Sequence, residues 1–485
     1  MLSEIIDDVL ILILEKLDTE SLLQITKTCR KLNNIFYSSE LTKNFVFEIK
    51  FPDPLIGLDD FEDYLNNLIE SKRNYRNLRI SDLDDQLAKY ANVKSVFNKV
   101  LEDHFYKHTK ELELKSHCTS IEEYNQLISK FTNLKSLILS NLQMVQETTY
   151  PIKFTALEKL HLKYDIWNDR LPNVEFFEEL LMAQGNLKEL SIQNFSNCHF
   201  FKTDRSEKVK FNLIKLTFDH IFFADKENAL KFLQTQTILR EVSLNPKNEE
   251  DRKLDVLDWY HDIFKYIFQL STLQKIHLSM KYYEVKDLSF LKNIVNFNVE
   301  NLSFHRDRAF KNCNFFIELI RIFPNVKNLI YNGNVKGTQK IGLMKNLENL
   351  TLVESRDRQL KELTINSKKF IEFNYYKTAP SQEIEPCLIN FMKRHPTILR
   401  LKIIVTSEID LAAEFVEHLP DLESLSIDNI FDLNNTVQFL CRKLIKLRSL
   451  TLQKTQYDNL NNITKQLCLE SQLNLSYVNY FVPYN

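Results

Sequence analysis

A short phrase recurs down the chain: apolar-x-x-apolar-x-apolar. It reads Leu134/Leu137/Leu139, then Leu157/Leu160/Leu162, Leu187/Leu190/Ile192, Leu213/Leu216/Phe218 and Leu239/Val242/Leu244. It continues through Leu273/Ile276/Leu278, Val299/Leu302/Phe304, Val326/Leu329/Tyr331, Leu347/Leu350/Leu352, Ile398/Leu401/Ile403, Leu422/Leu425/Ile427 and Leu447/Leu450/Leu452. Weaker copies start at Tyr75, Thr109 and Leu475. Start-to-start steps include 23, 30, 26, 26 and 24 residues. The closing apolar-x-apolar alternates with period two, which predicts a short strand in each copy. Stretches 174–182, 259–268 and 411–419 between the phrases carry apolar residues at i, i+3, i+4 and i+7, which predicts helices with one buried stripe. Alternating strands and helices build an α/β fold with a parallel sheet and helices on one side. At 360–365 and 370–375, two strand candidates crowd a single interval and leave the register there open.

The spacing and phrase resemble the leucine-rich repeat, whose period is about 20–29 residues. The resemblance implies a horseshoe solenoid over 73–485, with parallel strands on its concave face and helices on its convex face. Asn141, Asn194, His220 and Asn429 each stand just past a strand and are candidates for turning the chain.

The first forty residues have a different pattern. Leu10, Ile13, Leu14 and Leu17 lie at helical spacing, but Val9, Ile11 and Leu12 are apolar too. A helix that is apolar nearly all round must be covered on every side. Asp18 and Thr19 can cap a second helix bearing Leu22, Leu23 and Ile25, and a third would carry Cys29, Leu32, Ile35 and Phe36. Three helices this short cannot enclose so much apolar surface alone. The stretch resembles an F-box. Ile5 and Ile6 stand where that family has Leu-Pro, Asp8-Val9-Leu10 for Glu-Ile-Leu, and Ile13-Leu14 for Ile-Leu. Leu17-Asp18, Leu22-Leu23, Ile25 and Thr28-Cys29-Arg30 fit directly, while Leu32 replaces the common Trp.

The resemblance implies a three-helix F-box domain over 1–45. It would bind a Skp-family adaptor through Ile5, Ile6, Val9, Leu10, Ile13, Leu14, Leu17, Leu22, Leu23, Ile25, Cys29 and Leu32, and through the adaptor a cullin–RING scaffold. Such a protein is the substrate receptor of a ubiquitin ligase and makes no bonds itself. The alternative is a helical cap on a repeat scaffold with no ligase link, although a cap is expected to be polar outside. Phe51-Pro52-Asp53-Pro54 opens an expected linker over 46–72.

Composition narrows the chemistry. The 485 residues include only 5 glycines, none in a phosphate-cradling loop or a nucleophile elbow, so those nucleotide-binding and hydrolase classes drop out. Lys and Arg number 63 against 65 Asp and Glu, which argues against partners recruited by bulk charge, whether nucleic acid or membrane. The seven cysteines are scattered without a C-x-x-C, as expected of reduced thiols in a cytoplasmic or nuclear protein. No N-terminal leader pattern and no run of about 20 apolar residues stands out. His104 and His108, four apart, are read as surface histidines rather than metal ligands, and no cofactor is expected.

Side chains alternate along each predicted strand, so the variable residues either side of its first apolar position point away from the core. Target recognition is therefore expected at Lys159, His161, Glu189, Lys215, Glu241, Lys275, His277, Asn301, Asn328 and Asn349. No arginine cluster of the kind that grips phosphate occurs in these rows.

Overall fold

A computed structural model describes Leu14, Leu32 and Ile35, then residues 46–51, 58–70, 75–81, 91–115, 118–141, 143–145, 156–164, 174–194, 211–221, 226–246, 257–280, 288–306, 314–332, 338–354, 357–377, 384–405, 417–428, 444, 446–453 and 477–481. The chain divides into two compact units, Met1–Ile238 and Leu239–Asn485.

In the first unit the strands are β1 (Val46–Lys50), β2 (Asn77–Ser81), β3 (Glu111–Lys115), β4 (Cys118–Ser120), β5 (Ser136–Ser140), β6 (Gln143–Val145), β7 (Lys159–Lys163), β8 (Glu189–Gln193) and β9 (Lys215–Ile221). Helices α1 (Leu58–Glu70), α2 (Ala91–His104), α3 (Ile121–Ile128), α4 (Val174–Met182) and α5 (Lys226–Gln234) fall between them. The parallel order is β1-β2-β3-β5-β7-β8-β9, with β4 and β6 paired as a separate ribbon.

Within 46–72, where a linker was expected, the structure has strand β1 and helix α1. Val46–Lys50 is a laddered strand in register with Asn77–Ser81. Phe51, just past it, packs its ring 5.0 Å from that of Phe61 of α1, tilted, and 5.1 Å from that of Phe97 of α2, edge to face. Phe47 and Ile49 supply the period-two apolar pair, so among the described residues the strand ladder includes Val46–Lys50 ahead of residue 73.

In the second unit the strands are β10 (Glu241–Pro246), β11 (Lys275–Met280), β12 (Asn301–Arg306), β13 (Asn328–Asn332), β14 (Asn349–Val353), β15 (Glu372–Lys377), β16 (Arg400–Val405), β17 (Ser424–Asp428), β18 (Ser449–Gln453) and β19 (Tyr477–Phe481). Helices α6 (Leu257–Gln269), α7 (Asn314–Ile322), α8 (Asp357–Glu362) and α9 (Ile384–Arg394) lie between them. Each strand from β10 to β19 pairs in parallel with the next.

Strands β3, β7, β13 and β14 bury positions two and four and leave one, three and five outward. The buried rows meet the helices. Phe316 of α7 lies 4.7 Å from the ring of Tyr331 and 5.2 Å from that of Phe304. Phe391 of α9 lies 4.4 Å from Phe373. The open register resolves here: Phe370/Phe373/Tyr375 is the strand phrase, while Leu360, Leu363 and Ile365 are buried around the end of α8.

A common clamp sets the step between repeats. The N–H groups of Lys135 and Ser136 both donate to the Lys110 carbonyl, at 2.8 and 2.9 Å. The same double donation recurs onto Lys135, Glu158, Glu300, Lys327, Glu348, Ile371, Leu399 and Glu423. Just ahead of the first apolar residue, a short polar side chain often ties back to the preceding repeat. Asn133, Thr272, Asn325 and Thr397 donate to the carbonyls of Lys107, Leu239, Phe297 and Phe370 at 2.7–3.0 Å.

The corners match the sequence reading at three of four positions. Asn141, Asn194 and His220 have φ of 56°, 62° and 52°, a left-handed conformation that Asn and His tolerate better than most residues. Asn429 lies outside the described residues. Glu354, which the sequence did not flag, has φ 54°. Asn141, Asn194 and Glu354 each donate the backbone N–H to the last carbonyl row of the next strand, at Lys163, Asp219 and Tyr376.

Candidate functional site

The outward strand rows place the expected target-binding residues in two sets. In the first unit Lys159, Glu189 and Lys215 align in one register row, and His161 aligns with Ser191. Lys159 Nζ and Glu189 are ion-paired at 2.8 Å. Next to β1, Arg79 reaches Glu113 at 2.6 Å and Glu48 at 3.9 Å, and the Ser81 hydroxyl donates to Glu48 at 2.8 Å. These charges are largely satisfied within the face, in pairs of modest net value. Burial holds the His161 imidazole below its ordinary pKa; Glu189 opposes this, and Lys215 and Lys159 add to it, so the ring is neutral at pH 7.

In the second unit Glu241, Lys275, Asn301, Asn328 and Asn349 form one register row. Glu241 and Lys275 pair at 3.6 Å. The three asparagines form a ladder: Asn328 Nδ2 donates to Asn301 Oδ1 at 2.7 Å, and Asn349 Nδ2 donates to Asn328 Oδ1. A carboxamide carries both donors and an acceptor, so it can repeat from strand to strand without charge.

Beside the ladder lies a second network. His277 Nδ1 is 2.8 Å from Ser303 Oγ, His305 Nε2 is 3.2 Å from the same oxygen, and Asn332 Nδ2 donates to His305 Nδ1 at 3.2 Å. The Asn332 amide nitrogen can only donate, so it sets the direction at His305. His305 donates from Nε2 to Ser303, and Ser303 shares a hydrogen bond with His277 Nδ1. Ser303 lies mid-strand, where ladder pairing commits the surrounding N–H groups and leaves no donor pair for an oxyanion. The serine therefore bridges two rings; it is not set up as a nucleophile.

Sequence reasoning missed Glu372 and Asn374, because the register there was open. Arg400 pairs with Glu372 at 2.7 Å, and Asn374 Nδ2 donates to Glu372 and Thr351 at 2.9 and 3.3 Å. It also missed the whole outward row at position five, which includes His305, Asn332, Val353, Tyr376 and Ile404. Continuing the period-two alternation one step beyond each phrase would have found it.

Of the two histidines read as surface residues, His108 is exposed, but His104 is buried at the end of α2. No group of three or more metal-ligating side chains occurs among the described residues. No helix among them is long and apolar enough to cross a membrane.

Leu14 and Leu32 were expected to bind the adaptor. Both are helical and only 3% and 4% exposed. Ile5, Ile6, Val9, Leu10, Ile13, Leu17, Leu22, Leu23, Ile25 and Cys29 lie outside the described residues.

A parallel ladder with one strand per repeat, a buried L-x-x-L-x-L phrase and helices between the strands is a leucine-rich-repeat type of fold. Residues 2–44 match the F-box domain family, so the repeats follow an N-terminal F-box. F-box domains bind Skp-family adaptors, and such repeats engage protein partners. No curated protein matches the chain. Among solved structures, a Bacteroides fragilis protein is similar at 13% identity and TM-score 0.30, covering 50% of this chain and 67% of its own. The TLR13–ssRNA13 complex is similar at 15% identity and TM-score 0.32, covering 84% of this chain and 66% of that one.

Proposed function

We propose that this chain is the substrate-recognition subunit of a Skp–cullin–F-box ubiquitin ligase. The F-box at 2–44, in a chain whose remaining strands present outward polar rows, carries this reading. The F-box would hold the adaptor, and through it the cullin–RING scaffold, while the strand rows hold a target protein. The chain's contribution to ubiquitin transfer is proximity, which converts an encounter between target and charged enzyme into an intramolecular event. Its thiol pattern fits the cytoplasm or nucleus, where such thiols stay reduced.

Co-expression with a Skp-type adaptor tests the reading. A stable one-to-one complex is expected from the wild type and not from a Leu10→Asp/Ile13→Asp variant. Failure of the wild type to form it leaves a repeat scaffold without ligase association. Ubiquitin-remnant proteomics, comparing the full chain with one lacking residues 1–40, then identifies the target.

A further inference from the structure

On the outward face of the second unit, fixed charges come in pairs. Glu241 faces Lys275 at 3.6 Å and Glu372 faces Arg400 at 2.7 Å. Among the described side chains of that face, Lys402 is the fixed charge with no opposite charge beside it. Its Nζ lies instead over the Tyr376 ring, 5.5 Å from the centroid. Tyr376 sits in the position-five row between Val353 and Ile404, in direct register with both. All three side chains are partly exposed, and Ile330, one row away on β13, is 41% exposed. The position-five row of β14–β16 is therefore aliphatic and aromatic, beside a cation to which no described side chain supplies a counter-charge.

Resting on the target-binding reading above, we propose that strands β13–β16 bind an extended acidic–apolar segment of the target. An aliphatic or aromatic side chain would lie on Ile330, Val353 and Ile404, and a neighbouring carboxylate would pair with Lys402. An ammonium group has three donors, so contact with the Tyr376 ring leaves capacity for a carboxylate. From β13 to β16 is three strand spacings, about 14 Å, which an extended chain covers in four to five residues. Burying a paired cation and an apolar row together favours a segment carrying both features over one carrying either alone.

A random twelve-residue phage-displayed peptide library, selected on the immobilised full chain, tests this. Enrichment of peptides with Asp or Glu within two residues of Leu, Ile, Phe or Tyr is expected. Representative peptides should bind at least tenfold more tightly than their Asp→Asn and Glu→Gln versions. Lys402→Glu should reverse the preference towards Lys and Arg, and Ile330→Asp should weaken binding at least tenfold. Both sites are at least partly exposed, and unchanged thermal melting would show that the variants fold. A consensus without the acidic–apolar pairing, selection only of phosphoserine peptides from a parallel phosphopeptide panel, no enrichment, or indifference to Lys402→Glu would overturn the proposal. Adaptor co-purification is read separately, so loss of the ligase reading would leave the peptide result interpretable.

Discussion

The two units use the same strand phrase but finish their outward faces with different chemistry. In the first, position one reads Ser136, Lys159, Glu189, Lys215, and neighbouring strands trade ion pairs. In the second, the central stretch reads Asn301, Asn328, Asn349, and neighbouring strands trade carboxamide hydrogen bonds. Ion pairs on an open face contribute little and are screened by salt. A carboxamide ladder is neutral and salt-insensitive, and it depends on every member being present. The lesson is that L-x-x-L-x-L specifies the core of a repeat and leaves its outward rows free to vary.

The largest effect should fall on the feature both units share. Leu160→Ala and Leu350→Ala each remove a fully buried strand residue and should cost about 3–5 kcal/mol, measured by urea unfolding. If one unit tolerates the change and the other does not, the equivalence of their cores fails.

His395 separates the units next. Its Nε2 accepts the Ile365 N–H at 2.8 Å and its Nδ1 donates to the Phe391 carbonyl at 2.7 Å, so the neutral ring is built in. Burial lowers its pKa to about 4, with Arg394 adding to this and the bond to Phe391 opposing it. The unfolded ring titrates near 6.5, so it takes up protons first as pH falls. Stability from this group is full above about pH 6.5 and is lost as pH falls towards 4, by up to about 3 kcal/mol. Urea midpoints at pH 7.5 and 5 should diverge in the wild type, and His395→Gln should remove that part of the divergence.

A smaller loss should follow Gly342→Ala. A Cβ there would run into the carbonyl oxygen of Thr364, just before the Ile365 N–H that His395 holds. Overpacking of this kind costs about 1–3 kcal/mol, visible as a lower melting temperature.

The smallest effects sharpen the comparison of faces directly. Asn328→Ala breaks both ladder bonds and should cost about 1–2 kcal/mol, equally at 50 mM and 500 mM salt. Lys159→Met should cost about 0.2–1 kcal/mol at low salt and less at high salt. Equal salt dependence in the two variants would erase the distinction drawn here.

Much of this was legible in the sequence, because short-range rules govern it. The twelve strong phrases placed twelve strands, and Asn141, Asn194 and His220 marked corners. The short β4 and β6 carry no such phrase, and in the main ladder two strands escaped for identifiable reasons. β1 lacks the first apolar residue of the phrase, and β15 uses Phe373 and Tyr375 beside the equally apolar Leu360–Leu363 stretch. Periodicity cannot choose between two apolar runs in one interval; the ladder to β14 and β16 chose. The Asn or Thr before many phrases was also present in the sequence, but its role appears only when the carbonyl of the preceding repeat is seen opposite it.

By itself the sequence determined the repeating unit, the buried rows and the N-terminal F-box, since burial and alternation are properties of residues close together in the chain. The tertiary structure alone decided which outward side chains meet. Asn301, Asn328 and Asn349 are 21 to 27 residues apart, and His277 and Ser303 are 26 apart. Only parallel pairing in exact register brings such side chains within hydrogen-bond reach, because adjacent strands lie about 4.8 Å apart. The same register places Lys402 beside an apolar row.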